Sequence, residues 1–266
     1  MGQSGELLKE IKGNVGTLTF NRPERRNAIT PDMLVQIHLT LKEWADQDTV
    51  RAVVFTGGEG KAFSSGYDIL SIPTEVTEET KEALKASNPL ELGLHSVKNF
   101  PYPTIAMING YAFGAGVNTC MCCDIRIAAD DVKMGMPPAK LGLVYHPEGL
   151  RQFIHVLGMA KTREIFFTGK TYQGQELLDM GLVDHLVPRS ELVETTYGMA
   201  EEIAGNAPLS LKGSKRIMNM LEESLSLSEE HLPEVERLIS DAFNSQDLKE
   251  GQTAFIEKRK AKFVGK

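Results

Sequence analysis

Between Ile108 and Ala129 the chain reads INGYAFGAGVNTCMCCDIRIAA. Asn109-Gly110 is a turn signal, Gly114-Ala115-Gly116 is a second glycine cluster, Val117 to Cys123 is an apolar run, and a β-branched run follows Asp124. The order predicts a strand end, a glycine-rich turn, a buried helix and the next strand. Glycines ahead of a helix let another group approach the backbone, and the free N–H groups of the first turn can hold negative charge. Glycines that serve only tight packing would leave the same pattern, so the remainder of the chain has to separate the two.

At 266 residues and 41% hydrophobic content the chain can bury a large core, as one domain or one domain with an appendage. A formal net charge of -7 argues against an electrostatic nucleic-acid binder. No apolar run is long enough to span a bilayer, and MGQSGELLKE lacks the basic and apolar regions of a secretory signal. Cys120, Cys122 and Cys123 crowd one apolar helix without further ligands at metal spacing. They read as buried free thiols, with no metal site, in a reducing, cytoplasmic compartment.

Glu6 to Lys12 and Val15 to Asn21 predict a hairpin around Gly13-Asn14. Thr30-Pro31-Asp32 opens a helix whose Met33, Ile37, Leu41 and Trp44 share one face. Val50 to Thr56 reads as a buried strand, Leu90 to Asn99 as a helix and Ile105 to Ile108 as a strand. The charged segment Thr74 to Lys85 reads as a mobile surface helix or loop. Further on, Met159 to Phe167, Tyr172 to Met180 and Glu191 to Ala204 read as helices, with a short strand from Val183 to Val187. Leu209 to Leu221, Leu232 to Phe243 and Leu248 to Lys262 make a helical tail. Strands alternating with helices predict an α/β core of mostly parallel strands with a helical C-terminal subdomain.

There are two glycine-rich strand-to-helix junctions, Phe63-Ser64-Ser65-Gly66-Tyr67-Asp68 and Gly110 to Gly116. Neither carries a dinucleotide fingerprint, Gly57 to Gly60 lacks the lysine of a P-loop, and no HExxH or GxSxG occurs. Two such junctions aiming backbone N–H groups at one point would form an oxyanion hole, whose donors stabilise a carbonyl oxygen as it gains charge.

NRPERRNAIT, FSSGYDI, INGYAFGAG, CDIRIAA and EGQTAFIEKRKAKF together resemble the crotonase superfamily of enoyl-CoA hydratases and isomerases, over essentially the whole chain. The resemblance implies a spiral of ββα units across residues 1–200 and a helical trimerisation region across 201–266. It also implies a homotrimer or dimer of trimers, and an acyl-CoA substrate whose coenzyme A is part of the substrate, with no separate cofactor. Matched residue by residue, the hole donors are the N–H groups of Tyr67 and Ala115, with Gly114 beside the second. Arg25 and Arg26 match positions that approach CoA phosphates, though a solvated turn would look the same. Ser65, Gly66 and Asp68 match the surroundings of adenine and pantetheine. Phe255 and Lys258 match a C-terminal pair that closes on the nucleotide end, often of a neighbouring subunit.

The family's hydratases place glutamates where this chain has Asn118 and Pro138. Neither residue exchanges a proton usefully, so ordinary hydration is not expected. In LGLVYHPEG, Glu148 resembles the lone base of double-bond-shifting isomerases, and isomerisation is the first expectation. Tyr145 resembles the tyrosine of methylmalonyl-CoA decarboxylases, which makes loss of carbon dioxide the alternative, although those proteins carry histidine where this chain has Tyr67. A CoA-thioester-binding protein without turnover is the reading from another class. Asn118 and His146 could contact substrate. Each of these residues also has a structural reading: Glu148 as a helix start, Tyr145 as a core aromatic, Asn118 as a satisfied helical amide and His146 as a loop residue.

Overall fold

A computed structural model describes residues 6–58, 60–68, 88–223 and 229–264. The charged segment Thr74 to Lys85 lies outside them.

β1 (Leu7–Lys12) and β2 (Val15–Phe20) form the expected antiparallel hairpin. β2 then pairs in parallel with β3 (Ala52–Gly57), which leads to β5 (Thr104–Ile108), β7 (Ile125–Ala129) and β10 (His185–Val187) in one six-stranded sheet. Every residue of β3 and β5 is buried, as central parallel strands covered on both faces should be. A second sheet has the order β4 (Ala62–Ser64), β6 (Tyr111–Phe113), β8 (Lys133–Gly135), β9 (Thr171–Gln173). The chain therefore winds as a spiral: β3 to β4, then β5 to β6 to α3 (Ala115–Cys122), then β7 to β8 to α4 (Pro138–Leu141).

α1 (Pro31–Gln47) starts where Thr30 Oγ1 accepts from Met33 N at 3.2 Å, a cap worth about 1 kcal/mol. Its predicted face is buried against α2 (Pro89–Asn99) and the sheet. α5 (Pro147–Thr168) is broken at Gly158, whose φ of 75° no helix accommodates, so the helix expected from Met159 abuts a helical segment from Pro147. After α6 (Gln175–Met180) and β10, α7 (Leu192–Ala204) lies across β3, β5 and β7. α8 (Pro208–Glu223), α9 (Leu232–Phe243) and α10 (Gln246–Ile256) form the tail.

Two expectations need correction. Tyr172 to Met180 is not one helix: Tyr172 is a strand residue opposite Met134, and Gly174, at φ 55°, separates β9 from α6. The last helix stops at Ile256, and beyond it Arg259 folds back onto Glu250. The three cysteines are buried, and burial pushes the Cys123 thiol up to about 12 and those of Cys120 and Cys122 well above their ordinary value.

Two clasps fix the tail. Lys215 of α8 is buried and donates to Asp124 Oδ2 at 2.6 Å and to the Tyr102 carbonyl at 2.9 Å. Glu250 accepts from two Arg259 nitrogens at 2.6 and 2.8 Å and from Lys262 N at 2.8 Å. Arg259 first, and then the Lys262 N–H, hold its carboxyl down to about 2 from an ordinary 4.5. A depressed folded pKa means the clasp contributes fully above pH 4.5 and is lost as pH falls through about 2. Protection factors across residues 257–264, exchange rates divided into the intrinsic rate at each pH, should fall in that window. Protection factors that stay flat from pH 5 to 2 would show that Glu250 does not hold the segment.

Candidate active site

β4 and β6 are parallel neighbours, so the two glycine junctions that follow them lie side by side. Gly66 has φ +102°, and a Cβ there would stand 2.9 Å from the Phe113 carbonyl oxygen and 3.5 Å from Ala115 N. A Cβ on Gly116 would stand 2.8 Å from Ser64 Cβ and 2.9 Å from Ser64 O. The glycines are thus what bring the end of β4 against the start of α3. Ile29 grips the strand past β4 on both sides of Tyr67: its N–H donates to Gly66 O at 2.8 Å, and its carbonyl accepts from Asp68 N at 2.9 Å. Backbone groups alternate along an extended strand, so the Tyr67 N–H points to the opposite side. Ala115 is the first residue of α3, where an N–H has no intrahelical acceptor. Among the described residues neither N–H has a hydrogen-bond acceptor.

One turn along α3, Asn118 is fully buried, and its N–H closes on Gly114 O at 3.0 Å. The Tyr145 hydroxyl donates to Asn118 Oδ1 at 2.6 Å. Burial and then the neighbouring Cys122 push that hydroxyl well above the ordinary tyrosine range, so it remains an O–H. Phe166 packs on the Tyr145 ring at 5.3 Å between centroids. A Cβ at Gly149 would stand 2.4 Å from Tyr145 Cε1, so glycine there gives the ring its place. Glu148 is held by Arg151, one turn on, which donates Nε to Oε2 at 3.0 Å and Nη2 to Oε1 at 2.6 Å. His146 occupies the N-cap position of α5, and its Nδ1 lies 2.5 Å from Glu91 Oε1.

Residues 10–266 match the enoyl-CoA hydratase/isomerase family. The chain belongs to that family. A short-chain-enoyl-CoA hydratase of Clostridium acetobutylicum is 32% identical over 259 residues, 96% of this chain and 95% of its own. Among solved structures, methylmalonyl-CoA decarboxylase complexed with 2S-carboxypropyl CoA superposes with a TM-score of 0.91 at 26% identity, over 100% of both chains. An enoyl-CoA hydratase from Bacillus anthracis, also 26% identical, superposes at 0.75 over 98% of this chain and 100% of its own.

Within this member of the enoyl-CoA hydratase/isomerase family, most candidate residues converge. Ser65 N donates to Arg26 O at 3.0 Å and Ser65 Oγ to Arg25 O at 3.4 Å, which sets both arginines beside the Tyr67 strand, their side chains exposed. Asp68 belongs to the scaffold: Arg22 Nη1 donates to its Oδ2 at 3.2 Å and to Ala28 O at 2.8 Å. Buried Asn27 ties the same turn to Ala62 O at 2.7 Å. Burial first, and then Asp68, raise the Tyr67 hydroxyl. Phe255 and Lys258 stand apart. Phe255 is 61% exposed, and among the described residues no hydrogen bond or ion pair joins either to the other candidates. α10 packs on α4 instead, where a Cβ at Gly251 would meet Leu141 O at 2.5 Å. Sequence reasoning missed Arg151 and Gln152. Their signal was local: Arg151 at helical spacing after Glu148, and an amide flanking the apolar face of Phe153 and Val156.

Proposed function

We propose that the chain is an acyl-CoA enzyme that releases carbon dioxide from a malonyl-type thioester and holds the resulting enolate on the Tyr67 and Ala115 N–H groups. The observation that carries this is how the two candidate side chains are held. Glu148, the base an isomerase would need, is clamped by the Nε–Nη2 edge of Arg151, while the Tyr145 hydroxyl sits on Asn118, one helical turn from the Ala115 donor. The closer superposition on a methylmalonyl-CoA decarboxylase than on a hydratase of equal identity supports the reading.

Decarboxylation needs no base. The electrons of the breaking Cα–CO2 bond move into the thioester carbonyl, and negative charge passes from the carboxylate to the carbonyl oxygen. Donors aimed at that oxygen therefore bind the transition state more tightly than the substrate. Tyr145 O–H orients the carboxylate, and a proton from water completes the acyl-CoA product. Arg25 and Arg26 meet the CoA phosphates as cations, with Ser65 and Gly66 along the chain between, and no separate cofactor takes part.

Carbon dioxide release from a malonyl-type thioester should fall about 10–100-fold in Tyr145→Phe, the worth of one hydrogen bond to a charged group, and stay near wild type in Glu148→Gln. The reverse pattern, with Glu148→Gln abolishing a double-bond shift in an enoyl-CoA, would establish isomerisation instead. Hydration of an enoyl-CoA as the main turnover would sink both.

The helical tail is proposed to meet other copies of the chain in a homotrimer or dimer of trimers. Leu209 (82% exposed), Ile217 (60%) and Leu221 (70%) line α8 in the open, more apolar surface than a lone chain ordinarily shows. Light scattering should give three or six times the chain mass, and Ile217→Asp should shift the protein toward monomer. A wild-type monomer at micromolar concentration would refute the assembly.

A further inference from the structure

Behind Tyr145 runs a buried polar chain that the reaction as described leaves unused. Asn118 Nδ2 donates to Gln152 Oε1 at 2.5 Å, and Cys122 Sγ donates to the same oxygen at 2.9 Å. Asn118 is fully buried and Gln152 nearly so. As arranged, the Tyr145 O–H is committed to Asn118 Oδ1 and is not free to donate to another group.

An amide carries oxygen on one side and NH2 on the other in nearly the same shape. Turning Asn118 and Gln152 together by half a turn about their terminal bonds keeps every contact and reverses every donor. Gln152 Nε2 then donates to Asn118 Oδ1, with Cys122 Sγ a weak acceptor of its second hydrogen. Asn118 Nδ2 donates to the Tyr145 oxygen, and the Tyr145 O–H is released toward the pocket. Neither a carboxylate nor an apolar residue at 118 or 152 could make this reversal, because it needs a donor and an acceptor on one group at both positions.

We propose that Gln152 is a positioning residue: with Asn118 it sets whether Tyr145 donates inward or to the substrate carboxylate. This rests on reading Tyr145 as the group that holds that carboxylate. Among the described residues, the charged and titratable groups around the chain are Glu148 and Arg151 on α5, Cys122 with Cys120 and Cys123 beside it at α3, and beyond Arg151 the Glu222 end of α8 with its partner Lys98 of α2.

The test compares Gln152→Glu and Gln152→Met as full-length proteins, reading kcat, KM and the pH profile of carbon dioxide release from a malonyl-type thioester. An ionised Glu at 152 only accepts, so it fixes Asn118 Nδ2 inward and Tyr145 onto Asn118. The kcat should fall about 10–100-fold at high pH and recover as the new carboxyl is protonated, with KM little changed. Gln152→Met should lose kcat at every pH. Asn118→Asp, which fixes the Tyr145 O–H from the other side, should share the high-pH loss and serves if Gln152→Glu fails to fold. In a Tyr145→Phe background the Gln152→Glu change should add nothing further. A wild-type pH profile in both carboxylate variants, or a Gln152→Met kcat within twofold of wild type, would overturn the proposal. If Tyr145→Phe itself keeps full turnover, the decarboxylase reading fails first. If Tyr145→Phe loses turnover and the Gln152 variants do not, only the inference fails.

Discussion

Ala115→Pro is expected to lower kcat by about 10²–10³-fold, the cost of one oxyanion-hole donor, while the fold stays intact. Ala115 is the first residue of α3, the helical position at which proline is at home because its missing N–H would have no intrahelical partner. The ring removes the donor and nothing that the helix needs, since the first helical bond, Asn118 N to Gly114 O, is untouched. Circular dichroism and the melting temperature should match wild type while turnover collapses. Because every enolate-forming reading uses this donor, the result bears on the hole and not on which reaction makes the enolate. A variant that keeps kcat within a few-fold would show that the Ala115 N–H does not meet the thioester oxygen.

The second large effect concerns stability. Asp124→Ala should cost about 3–5 kcal/mol, the usual consequence of leaving a buried charge without its partner. At about 2–4 °C per kcal/mol for a chain of this size, the melting temperature should drop on the order of 10 °C. Asp124 Oδ2 gathers Lys215 Nζ, Thr104 N at 2.7 Å and Thr104 Oγ1 at 3.0 Å, so one oxygen joins the tail to the start of β5. Burial already lowers the Lys215 pKa, despite the opposing pull of Asp124. Once that pull is gone the folded state binds still fewer protons at Lys215 than the unfolded chain does. The deficit should therefore shrink as pH rises toward the lysine's ordinary 10.5. Lys215→Met in the same background should restore part of the loss. An Asp124→Ala protein within 1 °C of wild type, at pH 7 and at pH 10, would mean the clasp contributes nothing net.

What could be read from the sequence follows what is local. The hairpin, the Thr30 cap and the buried face of α1 each declare themselves within a few residues. β4, β6, β8 and β9 did not, because each is three residues long and pairs with a strand distant in sequence. An alternating pattern needs about four residues or more to be recognised. The close approach of the two junctions was legible because its geometry demands glycine, and Gly66 and Gly116 stand where a side chain would collide with the facing segment. The hydrogen bond between Asn118 and Gln152 was not, since it exists only when α5 closes on α3. Glu148 misled in a different way: its helix position was evident, and its partner Arg151 was near in sequence, but their pairing depends on side-chain directions that sequence spacing only permits.

The turn from Arg22 to Ile29 looks like an ordinary exposed loop, the sort of segment in which natural variation accumulates. It is instead a splint. Arg25 and Arg26 offer their carbonyls to Ser65, Asn27 reaches Ala62, and Ile29 straddles Tyr67. An insertion or deletion there would slide one rail of the splint past the other and move the Tyr67 N–H, the proposed donor, though no residue of either glycine junction had changed. The length of this turn, more than the identity of its exposed side chains, therefore sets where the Tyr67 N–H stands.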